Sequence, residues 1–269
     1  MELGLFTCGY QYTGIDAAFA DAAAAGYDFI ELWGGYPHAW APDMDAARIS
    51  WLRELSERHG VPIRVYTPEH NGYPYNYMLG DDLQWERCME YLARSMEVSS
   101  RLGASATLIS VGHGGCAEPQ RRRRLMRSLR RLAAEARQAG QTILLEPLSP
   151  FESNTCTSGA SLTAALAELN DPAVVPMCDM VASFVQGETA ADFYRLTGGT
   201  MRHLHIADSD GHSEAHVLPG DGVLPLREEL RELRRAGYDG TATIELVSMY
   251  TGDPTYYAKK AIERVRELL

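Results

Sequence analysis

Short apolar segments alternate with longer helix-type segments along the whole chain, and this alternation restricts the fold more than any other feature. Several of the helix-type segments end at a glycine, a common position for a helix C-terminus. Strands that alternate with helices indicate a parallel sheet built from strand–helix units. The eight strand candidates are residues 3–9, 29–34, 62–69, 106–113, 142–148, 174–180, 201–208 and 242–248.

The length of the chain suits a closed barrel of eight such units. Divided among eight units, 269 residues give about 34 residues each, enough for a strand, a helix and two short loops. The strand candidates are continuous apolar runs, as a sheet covered on both faces requires. We therefore predict an α/β fold, a single (β/α)8 TIM barrel that forms one domain over residues 1–269.

An open, doubly wound sheet is the alternative architecture for the same alternation. That fold would have a G-x-G-x-x-G turn after its first strand, where backbone amides bind phosphate. Residues 7–14 read TCGYQYTG and lack this pattern. The closed barrel is therefore the preferred interpretation.

Charge and cysteine content restrict the partners and the location. The chain has 25 Lys and Arg residues against 36 Asp and Glu residues, a net charge of −11, which disfavours nucleic acid as a partner. The basic run at 121–131 has apolar residues at helical spacing, as an outward helix face would. Five scattered cysteines without a C-x-x-C pair predict no disulfide framework. This cysteine pattern fits a reducing cytoplasm, which is the expected location. No segment has the composition of a membrane span, so we expect no membrane partners.

Ligand-type side chains lie near the ends of the last four strand candidates. In a (β/α)8 barrel the strand C-termini surround the active site. Separations of 33, 26 and 40 residues each match about one strand–helix unit, so the four side chains should meet at one opening. Each residue alone could instead cap a helix, pair with an arginine or fill the core, and only the matched positions favour a shared site. The four residues are Glu146, Asp179, His205 and Glu245.

Three carboxylates in one crevice repel one another and are costly to bury unless a cation compensates them. A bound divalent metal would supply that compensation. Three oxygen ligands and one imidazole nitrogen form a harder donor set than structural zinc sites use. The donor set suits Mn²⁺, Mg²⁺ or Co²⁺ and does not itself identify the ion. The expected cofactor is one divalent ion, Mn²⁺ first, with Co²⁺, Mg²⁺ and Ni²⁺ as alternatives.

Long motifs of uncommon residues run through the chain: FTCGYQ (6–11), ELWGGYPHAWAPD (31–43), YTPEHNGYPYNYMLGD (66–81), LLEPLSPFESN (144–154), HLHIADSDG (203–211), LPGDG (218–222) and IELVSMY (244–250). Together they resemble the xylose-isomerase-like TIM barrel superfamily of sugar epimerases and isomerases. The resemblance implies a metal-dependent ketose 3-epimerase, an isomerase of carbohydrate metabolism. It also implies that the four strand-end residues hold the metal, and that Glu146 and Glu245 deprotonate and reprotonate C3 through a cis-enediolate.

The same resemblance implies that Glu152 contacts the substrate oxygens near the carbonyl. The family's free-ketohexose 3-epimerases have a His three residues after the metal Asp and an Arg six residues after the metal His. This chain has Ala182 and Gly211 at those positions. We expect His216 to supply a substitute contact.

Aromatic residues crowd the segments after the second and third strand candidates, where they could stack on a sugar, anchor the loops or form an oligomer contact. Trp33, Tyr66 and His113 are the further substrate-binding candidates, and Glu69 is a candidate partner for an amine. The remaining aromatic and histidine residues of these two segments are Tyr36, His38, Trp40, His70, Tyr73, Tyr75 and Tyr77.

The sequence leaves the substrate and the assembly open. Fructoselysine and psicoselysine are the expected pair, and free ketohexoses (fructose and allulose, or tagatose and sorbose) are the alternative. A DNA-repair nuclease of the endonuclease IV type shares this barrel and could use His70, His113, Glu214 and His216 for zinc, although it needs more histidines than the chain offers. A non-catalytic sugar-binding barrel is a third possibility. We expect a homo-oligomer that acts on a small sugar or sugar-amine.

Overall fold

Eight parallel strands close into a barrel in the computed structural model, which describes residues 1–72 and 74–269 except the side chain of Ser248. Each strand pairs with its neighbours in chain order, and the last strand pairs with the first. The predicted barrel is thereby confirmed. The strands are β1 (Glu2–Phe6), β2 (Phe29–Gly34), β3 (Ile63–Pro68), β4 (Ala106–Ser110), β5 (Thr142–Glu146), β6 (Val174–Asp179), β7 (His203–Ile206) and β8 (Thr241–Ile244).

Helices connect the strands and cover the outside of the barrel. The first four end at glycines in the left-handed region, for example Gly26 at φ 82° and Gly103 at φ 87°, where a side chain would strain the backbone. No helix of the described chain has the length and apolarity needed to cross a membrane. The helices are α1 (Ile15–Ala25), α2 (Ala46–His59), α3 (Asp82–Leu102), α4 (Glu118–Ala139), α5 (Gly159–Leu169), α6 (Met180–Phe184), α7 (Ala190–Leu196), α8 (Leu226–Arg235) and α9 (Pro254–Leu268).

Alternation along the strands separates an apolar layer inside the barrel from a polar layer above it. Successive strand residues face opposite sides of a sheet, so residues two apart share a face. A small buried cluster fills the barrel interior and consists of Phe29, Val65, Ala106, Leu108, Leu144 and Met177. Polar residues follow two positions later on the same strands, nearer the C-terminal opening. They are Glu31, Thr67, Ser110, Glu146 and Asp179.

A loop between β7 and α8 folds over the C-terminal opening. It contains two antiparallel two-residue strands, Asp208–Ser209 and His216–Val217. The buried carboxylate of Asp208 accepts hydrogen bonds from the backbone N–H groups of Ser209, Gly220, Gly222 and Leu224. A Cβ at residue 222 would lie 2.4 Å from Asp208 Oδ1, so only glycine lets the backbone approach this closely. The carboxylate therefore fixes both ends of the loop.

The basic run at 121–131 lies in α4, and several of its arginines bind neighbouring elements. Arg124 donates to the carbonyl oxygens of Tyr77, Leu79 and Gly80. Arg127 pairs with Asp82 at 2.6 Å. These contacts tie the segment after β3 and the start of α3 to α4, which gives the run a structural role.

Candidate active site

The four predicted ligand residues meet in a cavity of about 320 Å³ at the C-terminal ends of the strands. Glu146 is the last residue of β5, and Asp179 is the last residue of β6. His205 is the third residue of β7, and Glu245 directly follows β8. Register places Asp179 beside His205 on adjacent strands, so the side chains converge because neighbouring strands end together.

Their ligand atoms are close enough to share one ion. Single ligand atoms of Glu146, Asp179 and His205 lie within 4.8 Å of one another, and all three residues are buried. Nδ1 of His205 is 2.8 Å from Glu245 Oε2 and 3.5 Å from Glu146 Oε1. This nitrogen is buried, yet it makes no hydrogen bond of acceptable geometry with any described residue. A nitrogen facing carboxylate oxygens in this way suits a divalent cation.

A buried carboxylate beneath the cavity sets the orientation of His205. Glu31 oxygens lie 3.1 and 3.2 Å from His205 Nε2, and one lies 3.0 Å from His203 Nε2. Thr67 donates to the other Glu31 oxygen at 2.6 Å. Because a carboxylate only accepts, the Nε2 nitrogen of His205 carries a proton, and Nδ1 is left for a metal.

Sequence analysis missed this buried pair. Glu31 and His203 are both fully buried, and Thr243 lies 3.0 Å from His203 Nε2. Glu31 and the two histidines could also surround a cation. Since Thr67 and Thr243 complete the hydrogen bonding, the group is already satisfied without one. The available signal was a glutamate inside the apolar strand sequence FIELWG.

Each of two cavity carboxylates has one oxygen fixed by the protein and one facing the centre. Ser110 Oγ donates to Glu146 Oε2 at 2.7 Å. Asp179 Oδ1 accepts the backbone N–H groups of Val181 and Ala182 at the start of α6. These bonds hold the carboxylates in place and leave Glu146 Oε1 and Asp179 Oδ2 directed at the other side chains of the site.

Burial and neighbouring charges affect the two glutamates in opposite directions. Burial, together with the carboxylates of Glu245 and Asp179, raises the pKa of Glu146 to about 8. Burial also acts to raise the pKa of Glu245, but the His205 and His216 imidazoles hold it well below its usual range. The two glutamates therefore differ in their affinity for a proton, a difference that suits an acid and a base in one site.

His216, a predicted substrate contact, reaches the cavity from the loop over the opening. Its Nε2 lies 3.0 Å from Asp179 Oδ2 and 3.3 Å from Glu245 Oε2. Ala182 lines the cavity nearby. An imidazole from the β7–α8 loop thus contacts the carboxylates in the part of the cavity that Ala182 lines.

Of the other predicted substrate contacts, two line the cavity and two do not. Glu152 and Trp33 line it. Tyr66 is fully buried on the outer face of β3, because Val65 faces the barrel interior, and its hydroxyl donates to Ala39 O at 2.6 Å. His113 is exposed and does not contribute to the cavity wall. Substrate binding by Tyr66 and His113 stays a prediction, which their positions outside the cavity wall do not support.

Three further residues on the cavity wall come from the segment after β3: Glu69, His70 and Asn71. Glu69 accepts a hydrogen bond from Trp33 Nε1 at 3.0 Å. His70 accepts the backbone N–H of Ser110 at 3.1 Å, and burial lowers its pKa to about 4, so the ring is neutral. The predicted aromatic contact Tyr73 lies outside the described residues.

Comparison with known proteins places the chain in a family. The sequence profile of the family described as "xylose isomerase-like TIM barrel" matches residues 19–268. The chain belongs to this family. It is 43% identical to a fructoselysine 3-epimerase of Escherichia coli O157:H7, over 100% of this chain and 98% of that protein. It is 26% identical to an L-ribulose 3-epimerase of Methylomonas sp. strain DH-1, over 91% of this chain and 82% of that protein.

Solved structures share the fold. A D-psicose 3-epimerase from Clostridium cellulolyticum H10 superposes with a TM-score of 0.84 at 16% identity, covering 100% of this chain and 99% of that one. A 3-keto-D-glucoside 4-epimerase from E. coli superposes with a TM-score of 0.83 at 18% identity, covering 99% of each chain. The sequence prediction of an enzyme, an isomerase of the carbohydrate epimerase class, is confirmed.

Proposed function

We propose that the chain is a metal-dependent ketose 3-epimerase that interconverts fructoselysine and psicoselysine. The observation that carries this proposal is the meeting of Glu146, Asp179, His205 and Glu245 in one cavity, with two glutamates on different strands. The full-length similarity to fructoselysine 3-epimerases, at 43% and 42% identity, supports this substrate.

The residues present fit a divalent ion. The same four residues would hold it, since they offer three carboxylates and a buried imidazole nitrogen oriented by Glu31. A bound divalent ion supplies Lewis acidity, which makes a hydrogen next to a ketone easier to remove. Mn²⁺ is the ion we propose, and Co²⁺, Mg²⁺ and Ni²⁺ remain alternatives because the donor set suits them too.

Glu146 and Glu245 are the proposed proton-transfer pair. Two strands, β6 and β7, separate β5 from β8 in the barrel, so the two carboxylates enter the cavity from different parts of its wall. Inversion at C3 requires proton removal on one face and proton return on the other, which two such carboxylates can perform. Glu152, His216 and Trp33 are the proposed substrate contacts, because they line the same cavity.

Hydrogen exchange at C3 tests the proposal. The Mn²⁺-loaded protein should convert fructoselysine to psicoselysine in deuterated water and place deuterium at C3, which proton NMR detects by loss of the C3 signal. The kcat/KM for fructoselysine should exceed that for fructose or allulose. Protium retained at C3 during turnover would contradict the two-glutamate route, and a higher kcat/KM for a free ketohexose would favour the alternative substrate.

The nuclease alternative gains no support from the described residues. His113 lies outside the cavity, and the histidines on the cavity wall are His70, His205 and His216, with the Nε2 of His70 already bonded to the backbone. Cleavage of an abasic-site duplex would revive that alternative. A cytoplasmic location and a homo-oligomeric assembly stay predictions.

A further inference from the structure

The cavity has more negative charge than a metal site alone requires. Three carboxylates line it in addition to those of the proposed metal ligands, and they belong to Glu69, Glu152 and Glu214. No Lys or Arg appears in its wall within residues 1–72 and 74–269. Carboxylates that line one cavity repel one another unless a cation joins them. The surplus indicates a ligand that brings its own positive charge.

Glu214 differs from the other two surplus carboxylates in having a buried oxygen atom, whereas Glu69 and Glu152 are exposed residues. Its Oε1 atom is buried and has no hydrogen-bond partner in the described structure. Glu69, by contrast, is exposed and accepts the Trp33 indole N–H at 3.0 Å. A buried carboxylate oxygen without a donor is costly, and a ligand that donates a hydrogen bond to it in the cavity would remove this cost.

The loop around Glu214 holds the residue in a defined position. Asp210 Oδ1 accepts the backbone N–H groups of His212 at 2.9 Å and Ser213 at 2.8 Å, immediately before Glu214. On the other side, His216 Nδ1 lies 3.2 Å from the Glu214 carbonyl oxygen, and its Nε2 contacts Asp179. Glu214 thus lines the cavity two residues before His216, whose side chain reaches the centre of the site.

Electrostatics agree with an uncompensated charge at this position. Burial, followed by the carboxylates of Glu152 and Asp179, raises the pKa of Glu214 to about 8. His216 is the cationic group that acts in the opposite direction, and Glu245 adds to the repulsion. A cation beside Glu214 would remove this penalty.

We infer that Glu214 binds the ammonium nitrogen attached to C1 of an aminated ketose and so determines the preference for it over a free ketose; this inference rests on the proposed function. In fructoselysine the lysine ε-nitrogen is bonded to C1, and C2 and C3 follow. The nitrogen must therefore enter the cavity together with the reacting carbons. A secondary ammonium donates two charged N–H groups, whereas the C1 hydroxyl of fructose offers only a neutral donor.

A matched pair of ligands isolates this contact. 1-Amino-1-deoxyfructose and fructose differ only in the ammonium or hydroxyl group at C1, and neither has the rest of the lysine. We expect Mn²⁺-loaded protein to bind the amino compound at least about tenfold more tightly than fructose in calorimetric titrations. In Glu214→Gln this ratio should fall about tenfold, while the dissociation constant of fructose changes less than about threefold.

Glu228→Gln is the control, because it removes the same charge from an exposed position at the start of α8. Its binding ratio should equal that of the wild type. An unchanged ratio in Glu214→Gln, equal weakening of both ligands, or a wild type without preference would each overturn the inference. Deuterium exchange from fructoselysine reports separately on the proposed function. If the wild type prefers the amino compound, Glu214→Gln loses that preference and no deuterium enters at C3, the epimerase proposal is rejected and the ammonium site stands.

Discussion

Two glutamates approach the imidazole of His205 from opposite edges. Glu31 lies against Nε2 from below, and Glu245 lies 2.8 Å from Nδ1 inside the cavity. Glu31 lies on β2 and also contacts His203, so its carboxylate links β2 to two histidines of β7. The orientation of one proposed metal-binding nitrogen thus depends on Glu31, which does not reach the proposed metal site itself.

We predict that Glu31→Gln lowers the affinity for Mn²⁺ by about 10–100-fold, because a glutamine can no longer fix the His205 tautomer as a carboxylate does. Calorimetric titration of the apoprotein measures this. Glu69→Gln is the matched control, since Glu69 lines the cavity but contacts Trp33 instead of a histidine. A folded Glu31→Gln protein with wild-type Mn²⁺ affinity would show that the contact is only structural.

A second prediction concerns the proton-transfer pair. Glu146→Gln and Glu245→Gln should each lower kcat by at least about a hundredfold, because an amide cannot transfer the C3 proton. The melting temperature of Glu146→Gln should not fall, since burial and neighbouring carboxylates already disfavour the charge of Glu146. That of Glu245→Gln should fall, because Glu245 is stabilised by the His205 and His216 imidazoles. Turnover of fructoselysine and thermal melting are the measurements, with Glu228→Gln as the control. Near wild-type turnover in either variant would remove that residue from the pair.

Strand alternation explains which residues of the site sequence analysis could find. Glu146 and Asp179 were predictable because each ends an apolar strand, where a parallel barrel has its opening. Tyr66 illustrates the limit, because a continuous apolar run does not show which of its residues face inward. Glu31 was missed because it lies in the middle of a strand sequence, which does not show that its side chain faces the barrel interior as that of Phe29 does.

At the scale of elements, the loop between β7 and α8 brings Glu214 and His216 over the opening. Its shape depends on Asp208, whose two oxygens each accept two backbone N–H groups. Sequence analysis recognised LPGDG only as a motif and gave Asp208 no role. Four backbone donors that converge on one carboxylate leave no periodic pattern, so only the structure shows the anchor.

Asp208→Asn should loosen this loop without opening the barrel. The asparagine NH₂ group would face two of the four backbone N–H groups, and these donors would lose their acceptor. We therefore expect a loss of about 1–3 kcal/mol in the free energy of unfolding. The kcat/KM for fructoselysine should fall about tenfold or more, because Glu214 and His216 lose their fixed positions. Amide hydrogen exchange at Gly220, Gly222 and Leu224 should become faster.

Asp221→Asn serves as the comparison for this change. Asp221 lies in the same loop and pairs with Arg264 at 2.7 Å near the surface, so its loss should cost less than about 1 kcal/mol. Equal kinetics and exchange rates in the two variants would mean that Asp208 does not anchor the loop.

For the whole molecule, the proposed ion connects four consecutive strands, β5 to β8, at one end of the barrel. The barrel architecture followed from the strand–helix alternation, because that pattern covers the entire chain. The helices after β6 were less evident in the sequence, because two short ones, α6 and α7, follow this strand. Short helices have too few turns to show clear periodicity.

Metal removal should affect both activity and stability. Chelation should abolish turnover, and Mn²⁺ or Co²⁺ should restore it. At free Mn²⁺ of about a hundred times its dissociation constant, binding stabilises the fold by about 2.7 kcal/mol, which corresponds to a rise of about 5–10 °C in melting temperature. Differential scanning calorimetry with and without Mn²⁺ measures the rise. An identical melting temperature across this range of Mn²⁺ would argue against a site within the barrel.

The position of Trp33 gives the protein an optical reporter of its own. The indole lies two residues from Glu31 on β2, lines the cavity and donates its N–H to Glu69. Indole emission responds to nearby charge, so arrival of a cation or a sugar changes the fluorescence without any added label. The difference between the spectra of the wild type and Trp33→Phe removes the signal of the other three tryptophans, so that filling of the cavity can be followed in real time.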